Sequence, residues 1–204
     1  MGAQKVTRPT TNFLLVGVGG QGILLAADVI ALVGLESGLE VKKSEVHGMA
    51  QRGGSVTSHV RWGEHVASPL IAPGEVDYLI ALERLEALRY ADQLRPGGTL
   101  LINDYRIMPV SVSSGSDTYP SADDEEKAYA GAIERRIYVP AMSLAQELGQ
   151  ARVNNVVMLG ALSALLDVPE DTWLKVISGR VPDRYVELNQ RAFLSGRAYS
   201  ATHL

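Results

Sequence analysis

Cysteine is absent from the sequence, and this absence excludes several kinds of site. The chain cannot form disulfide bonds, thiolate zinc sites or cysteine-ligated iron–sulfur clusters, and it has no cysteine nucleophile. The signatures of α/β-hydrolases, P-loop NTPases and zinc peptidases are also missing. His59 and His65 have no arrangement of nearby carboxylates that supports a metal site, so we expect none. Together these gaps favour a chain that does not catalyse a reaction alone.

Long hydrophobic runs and an excess of positive charge are missing as well. The apolar stretch Ile23–Leu35 is too short to cross a bilayer and contains Asp28, and Met1–Asn12 has no apolar signal core. The formal net charge of -4 gives no reason to expect nucleic acid. A length of 204 residues with 46% hydrophobic and 21% charged residues is ordinary for a globular protein. We therefore expect a cytoplasmic protein without a membrane or nucleic-acid partner.

A glycine-rich turn between an apolar strand and an apolar helix is the main motif of the chain. Phe13–Val16 predicts the strand, and the helix is predicted from about Gly20 to Glu36. Glycines at the three positions of G-x-G-x-x-G permit a sharp turn, close backbone approach to a ligand and tight packing of the helix on the sheet. The free amides of the first helical turn then form an anion site. The predicted contact residues for a phosphate, nucleotide or acidic cofactor are Gly17, Gly19, Gly20, Gln21 and Gly22.

The residues alone leave several ligands and roles open for this turn. A dinucleotide site expects an acidic residue roughly 20 positions further on. Glu40 and Glu45 bracket that place, but Lys42 and Lys43 lie there too, so neither acid is a clean match. The alternatives are a stand-alone NAD(P)-dependent dehydrogenase, a non-enzymatic nucleotide-binding module, and a tight turn without any ligand. Glu83 follows a predicted strand, where open α/β sheets bind ligands, but a charge in the first turn of a helix explains it equally well.

The segment Ser44–Ser55 has no sustained periodicity and concentrates glycines with polar side chains. Glycines permit close backbone approach, and polar side chains on a loop can face a ligand or a partner. Arg52 is the best candidate to meet a phosphate or carboxylate, because its guanidinium suits bidentate partners; alternatively it only pins the loop or a subunit interface. The predicted substrate or interface residues are His47, Gly48, Met49, Gln51, Arg52, Gly53, Gly54 and Ser55.

Predicted strands and helices alternate through most of the chain. Strands are predicted at Leu39–Lys43, Ser55–Trp62, Val76–Leu82, Thr99–Asn103 and Arg136–Pro140, and helices at Glu83–Leu94, Asp124–Ile133 and Met142–Leu148. This alternation indicates an α/β fold with a doubly wound, Rossmann-like and mostly parallel sheet. Residues 1–11 are expected to be a disordered lead-in, and residues 111–126, rich in Ser, Asp and Glu, are expected to form a mobile loop.

The C-terminal part, residues 151–197, is predicted to be helical. Val153–Leu166 is apolar on nearly every face, and such a helix is buried either in the core or under a partner. Pro169 is expected to begin the next helix and Asp183 to cap the last one. Because no internal repeat is visible and the length suits one core, we expect residues 1–204 to form a single domain.

Several stretches together resemble one known family. They are Gly17–Gly22, Ser44–Arg61, Ser68–Ile71, Glu86–Tyr90, Pro96–Thr99, Asn155–Leu162 and Glu187–Phe193. The glycine pattern alone is weak, whereas the run E-V-H-G-M-A-Q-R-G-G-S is specific. From about Asn12 to Gly196 the chain is similar to the gamma-type domain of the 2-oxoacid:ferredoxin oxidoreductases, although Asp104–Arg135 matches the family pattern poorly.

The resemblance implies a subunit of an oxidoreductase. The family converts 2-oxoacids oxidatively to acyl-CoA and CO2 and passes the electrons to ferredoxin. Arylpyruvates such as indolepyruvate are the usual substrates of the branch that this chain resembles in most detail. Thiamine diphosphate and iron–sulfur clusters belong to companion subunits, so this chain is expected to hold no cofactor alone. The implied partners are a large thiamine- and cluster-bearing subunit and, through it, ferredoxin; a second copy of the chain is a further candidate.

One hypothesis covers both the glycine turn and the His47–Ser55 loop. We expect the glycine turn and the His47–Ser55 loop to lie at the interface with the thiamine-bearing subunit and to help form a pocket for CoA or substrate. The exact 2-oxoacid, the stoichiometry and the role of residues 104–135 do not follow from the sequence.

Overall fold

The computed structural model describes residues 10–47 and 54–203, with His47 described by its backbone only. In that part of the chain the strands are β1 (Thr11–Val18), β2 (Glu40–His47), β3 (Ser55–Gly63), β4 (Val76–Ala81), β5 (Leu94–Asn103) and β6 (Arg135–Val139). They form one sheet in the order β2-β3-β1-β4-β5-β6. β3 is antiparallel to its neighbours β1 and β2, and the other pairs are parallel. The prediction of a mostly parallel sheet is therefore confirmed.

Helices cover both faces of this sheet. They are α1 (Ile23–Glu36), α2 (Arg84–Arg89), α3 (Val110–Ser113), α4 (Ala122–Tyr129), α5 (Ala141–Glu147), α6 (Asn154–Ser163), α7 (Glu170–Arg180) and α8 (Val186–Ala201), with 3₁₀ turns at Ala91–Gln93, Ala151–Val153 and Asp183–Tyr185. Phe13 and Leu15 of β1 pack in the core beneath α1 and α5–α8. Leu14 and Val16, on the other face of the same strand, pack beneath α2 and α4. The fold is doubly wound, as predicted.

The direction of the connections defines the position of the candidate site. After β1 the chain crosses through α1 toward β2, and after β4 it crosses through α2 toward β5, on the other side. The carboxyl ends of β1 and β4 therefore flank a topological switch point, which is where open α/β sheets bind ligands. Because β3 runs antiparallel, its first residue, Ser55, lies at this same edge.

Several predicted boundaries are wrong. α1 begins at Ile23 and not near Gly20, because Gly20 and Gly22 have φ values of 100° and 79°, which a right-handed helix excludes. β2 continues to His47, beyond the predicted end. The helix predicted at Glu83–Leu94 ends at Arg89, and β5 already begins at Leu94, before the Pro96–Gly98 stretch that was expected to stop the helix.

The N-terminal lead-in, residues 111–126 and the start of α8 also differ from prediction, in smaller ways. β1 begins at Thr11, the last residue of the expected disordered lead-in, and residues 1–9 of that lead-in lie outside the described residues. The segment expected to be a loop at 111–126 contains α3 and the start of α4. Asp183 begins a 3₁₀ turn and does not cap α8, whose N-cap is Tyr185 without a side-chain cap. No helix in residues 10–47 and 54–203 is both long and apolar enough to span a bilayer.

The apolar helix predicted near Val153–Leu166 corresponds to α6, and all of its residues are buried. It packs directly against α8 at two glycines. A Cβ atom on Gly160 would lie 1.9 Å from the backbone oxygen of Phe193, and one on Gly196 would lie 1.9 Å from that of Val157. The core of this chain, and not a partner, therefore covers α6. The helical character of the C-terminal part is confirmed.

Candidate functional site at the carboxyl edge of the sheet

The structure brings the glycine turn and the end of the predicted loop together. Val18, the last residue of β1, pairs with Ser55 of β3. The Gly19 amide donates to the Gly54 carbonyl at 3.0 Å. His47, the last residue of β2, pairs with Val56. Two regions that are more than 20 residues apart in sequence thus share one edge of the sheet. The predicted site residues between them, Gly48, Met49, Gln51, Arg52 and Gly53, lie outside the described residues.

Gln21 holds the turn together from within. Its Oε1 accepts from the Val18 amide at 2.7 Å, and its Nε2 donates to the Leu82 carbonyl at 2.7 Å. The Gln21 side chain therefore bridges the carboxyl ends of β1 and β4, across the switch point. Gly17 makes room for it, because a Cβ atom there would lie 2.8 Å from Gln21 Oε1. The amide that was expected at the mouth of an anion site is engaged by the protein itself.

Gly22 allows a close contact with α6. A Cβ atom at Gly22 would lie 2.3 Å from Asn155 Nδ2, and that nitrogen donates to the Gly22 carbonyl at 3.1 Å. The same carbonyl accepts from the Ala26 amide within α1. Gly20 is exposed, and no atom lies within 4 Å of a Cβ built there. The amides of Ile23–Leu25, in the first turn of α1, have no acceptor within the helix and form the donor surface of the turn.

Two buried carboxylates lie beside this turn, and each is only 1% exposed. Glu83 caps α2 by accepting from the Glu86 amide at 3.1 Å. It also accepts from the Ile107 amide at 3.0 Å and from the Tyr119 hydroxyl at 2.5 Å. Burial and the bond to Glu83 raise the pKa of Tyr119. Glu83, which was considered a charge in the first turn of a helix, is instead the N-cap residue of α2, and it also anchors the segment that follows β5.

The second carboxylate fixes the beginning of β3. Ser55 Oγ donates to Glu86 Oε2 at 2.5 Å and lies 3.1 Å from the Tyr90 hydroxyl. Arg89 Nη1 donates to Glu86 Oε1 at 2.6 Å. Ser55 was predicted as a site residue, but its partners on α2 were not. The only sequence signal for them is that Glu86–Tyr90 belongs to the stretches that carry the family resemblance.

Buried asparagines complete the edge. Asn103, at the end of β5, donates to the Leu82 carbonyl at 3.2 Å. This carbonyl therefore accepts hydrogen bonds from the side chains of both Asn103 and Gln21. Asn103 Oδ1 is buried and has no hydrogen-bond partner among the described residues. Asn154 Oδ1 lies 3.5 Å from Asn103 Nδ2. Sequence reasoning missed these side chains as members of the site, because their role depends on contacts between distant elements.

The chemistry of this edge is that of hydrogen bonding. Among residues 10–47 and 54–203, no group of three His, Asp or Glu side chains is placed to hold a metal ion. The carboxylates at the edge are occupied by backbone and side-chain donors of the same chain. The edge can thus present backbone amides and a defined surface to a ligand or a partner.

Known proteins are similar to this chain over most of its length. Residues 12–199 match the family described as pyruvate ferredoxin/flavodoxin oxidoreductase. The chain is 40% identical over 188 residues to the indolepyruvate oxidoreductase subunit IorB of Thermococcus kodakarensis, covering 91% of this chain and 93% of that protein. It is similar to the gamma subunit of a keto/oxoacid ferredoxin oxidoreductase from Geobacter sulfurreducens, with a TM-score of 0.70, 26% identity and coverage of 95% and 99%.

A third relative is part of a longer chain. It is the 2-oxoglutarate:ferredoxin oxidoreductase of Magnetococcus marinus, whose structure contains 2-oxoglutarate, coenzyme A and succinyl-CoA. The TM-score is 0.72 at 25% identity, and the match covers 97% of this chain but 32% of that chain. In that enzyme the same fold is therefore one part of a longer polypeptide chain.

Proposed function

Because the chain belongs to the pyruvate ferredoxin/flavodoxin oxidoreductase family, we propose that it is the small subunit of an oxidoreductase that acts on indolepyruvate or a related arylpyruvate. The observation that carries this proposal is the 40% identity to an indolepyruvate oxidoreductase subunit over nearly the full length of both chains. The reaction converts a 2-oxoacid and CoA to acyl-CoA and CO2, and two electrons pass to ferredoxin. We further propose a cytoplasmic location, since the composition is that of an ordinary globular protein.

The redox cofactors are assigned to a large companion subunit. An iron–sulfur cluster needs cysteine ligands, and this chain has no cysteine. The clusters would therefore be held by the companion, which would also meet ferredoxin, and we assign thiamine diphosphate to the same companion from the family resemblance. The role of this chain is to complete and support the site from one side.

The carboxyl edge is the surface that we assign to that support. The glycine turn, the α1 amides and Ser55 lie together there, and Arg52 falls in sequence between the end of β2 and the start of β3, among residues 48–53, which lie outside the described part. Backbone amides at a helix start and an arginine guanidinium both suit phosphate groups. A related enzyme contains coenzyme A. These points support a CoA pocket formed between this edge and the thiamine-bearing subunit.

A stand-alone dinucleotide dehydrogenase is disfavoured by two features. The Gln21 side chain bridges the switch point where a pyrophosphate would approach. Both candidate ribose acids are engaged elsewhere: Glu40 begins β2, at the opposite edge, and accepts from the Val66 amide at 3.0 Å, while Glu45 forms an ion pair with Lys43 at 2.7 Å.

The experiment for this function uses the enzyme reassembled from this chain and its companion subunit. We expect Arg52→Ala to raise the KM for CoA, with a smaller effect on the KM for the 2-oxoacid. Arg52→Lys should restore only part of the affinity, because lysine does not form a bidentate contact. An unchanged KM for CoA in Arg52→Ala would contradict the assigned pocket. A matched control is Arg135→Ala, since Arg135 is exposed at the beginning of β6, at the opposite edge of the sheet.

A further inference from the structure

A buried asparagine in the first turn of α6 is hydrogen-bonded to the glycine turn. Asn155 is only 3% exposed. Its Nδ2 donates to the Gly22 carbonyl at 3.1 Å, and its Oδ1 accepts from the Val156 amide at 2.9 Å. The second bond determines which end of the side-chain amide faces the turn, because the reversed amide would place an oxygen against the Gly22 carbonyl. Asn155 is therefore held in one orientation, as a donor to the turn.

Gly22 transmits this contact to α1. It is the N-cap residue of α1, and its carbonyl also accepts from the Ala26 amide at 3.1 Å. The Gly22 carbonyl and the Ile23 amide belong to one planar peptide group and point in opposite directions. A bond that restrains the carbonyl therefore also restrains the direction of the Ile23 N–H. That N–H is one of the free donors at the start of α1.

Asn155 belongs to a firmly held helix. All residues of α6 are buried, and α6 and α8 meet backbone to backbone at Gly160 and Gly196, where an added Cβ atom would lie 1.9 Å from a carbonyl oxygen of the other helix. Any shift of α6 along α8 is thus opposed by close contacts on both helices. The C-terminal helices therefore give the glycine turn a fixed support from a part of the chain 133 residues away.

Resting on the proposed function, in which the free amides of α1 meet a phosphate of CoA, we propose that Asn155 is a positioning residue for CoA binding. It acts through the Gly22–Ile23 peptide group and not by contact with CoA. Its hydrogen bond keeps the Ile23 amide directed at the carboxyl edge of the sheet, so that the donor is already in place when CoA binds.

The first test measures steady-state kinetics of the enzyme reassembled from this chain and its companion subunit. Asn155→Ala removes the donor, and we expect the KM for CoA to rise by about fivefold, the effect of one net hydrogen bond. The kcat and the KM for the 2-oxoacid should stay at the wild-type values. Asn155→Asp keeps the shape but places a carboxylate beside the turn, so the KM for CoA should rise further, and added salt should reduce the difference between the two variants.

Asn189→Ala is the matched control. Asn189 is 5% exposed, and its Nδ2 donates to the Tyr185 carbonyl at 2.8 Å, at the start of α8. This control loses a comparable buried bond, so it should lower the melting temperature as much as Asn155→Ala does while the KM for CoA stays at the wild-type value. Equal rises in the KM for CoA in both variants, or equal changes in both KM values of Asn155→Ala, would overturn the positioning role alone. A wild-type pair whose rate does not depend on CoA would refute the proposed function as well.

A second test uses stability and does not depend on activity. A Cβ atom on Gly22 would lie 2.3 Å from Asn155 Nδ2 but 3.7 Å from Asn155 Cβ, which is an ordinary contact distance. Gly22→Ala should therefore destabilise the wild-type chain more than it destabilises the Asn155→Ala variant, in which only the strain of the positive φ remains. Equal losses in urea denaturation of the two backgrounds would show that Asn155 does not restrain the turn, and would overturn the proposal.

Discussion

Replacing Gln21 by alanine tests the internal bridge of the glycine turn. The change removes two hydrogen bonds, from the Val18 amide and to the Leu82 carbonyl, each 2.7 Å long. The Leu82 carbonyl keeps its bond from Asn103, so the main loss is at Val18. With about 1 kcal/mol net for each bond, we expect the free energy of unfolding to fall by about 2 kcal/mol. For a chain of this length that corresponds to a fall in Tm of roughly 4–8 °C.

The assay is thermal and urea unfolding followed by circular dichroism, with Gln146→Ala as the matched control. Gln146 is exposed on α5, and alanine suits a helix, so this control should be as stable as the wild type. In the reassembled enzyme, Gln21→Ala should also raise the KM for CoA, because the turn is no longer fixed to β4. A Gln21→Ala variant as stable as the wild type would refute the view that this side chain bridges the two strands.

Three other predictions concern packing, pH and the start of β3. Gly196→Ala should lower the free energy of unfolding, measured by urea denaturation, by about 3 kcal/mol, because its Cβ would lie 1.9 Å from the Val157 carbonyl oxygen and the backbone must move. A variant more stable than the wild type would show that α6 and α8 are not in contact. Burial and Arg61 lower the pKa of His59, whose Nδ1 accepts from the Ile71 amide at 3.3 Å. The unfolded chain therefore binds the proton more tightly, and stability should fall as the pH drops below about 6.5; His59→Gln should flatten this dependence, and an unchanged slope would contradict it. Ser55→Ala removes the bond to Glu86 and should raise the KM for CoA more than it changes kcat, whereas equal effects on both would point to a general structural role.

The sequence was informative wherever the cause is local. The glycine turn, the strand at Ser55–Trp62 and the apolar α6 follow from short-range patterns, and the structure confirms each of them. The sequence was also informative about function through the family resemblance, because the comparisons support the oxidoreductase family and the role of a subunit.

The remaining features depend on contacts between distant residues. Gln21 was assigned to a ligand, yet its partners Val18 and Leu82 are defined only once β1 and β4 are neighbours. The third glycine was explained by packing of its helix on the sheet, but the atom it makes room for is Asn155 of α6, 133 residues away. Likewise, the antiparallel direction of β3 places Ser55 at the site, and no local pattern contains that direction.

The central claim is that this chain works as a partner of a thiamine-bearing subunit. The most direct measurement is dye reduction dependent on indolepyruvate and CoA, made on this chain alone, on the companion alone and on the reassembled pair. We predict strong activity only for the pair, with electrons appearing in the dye as CO2 is released. A companion subunit that is fully active without this chain would contradict the account, and so would an isolated chain that binds and reduces a nicotinamide cofactor.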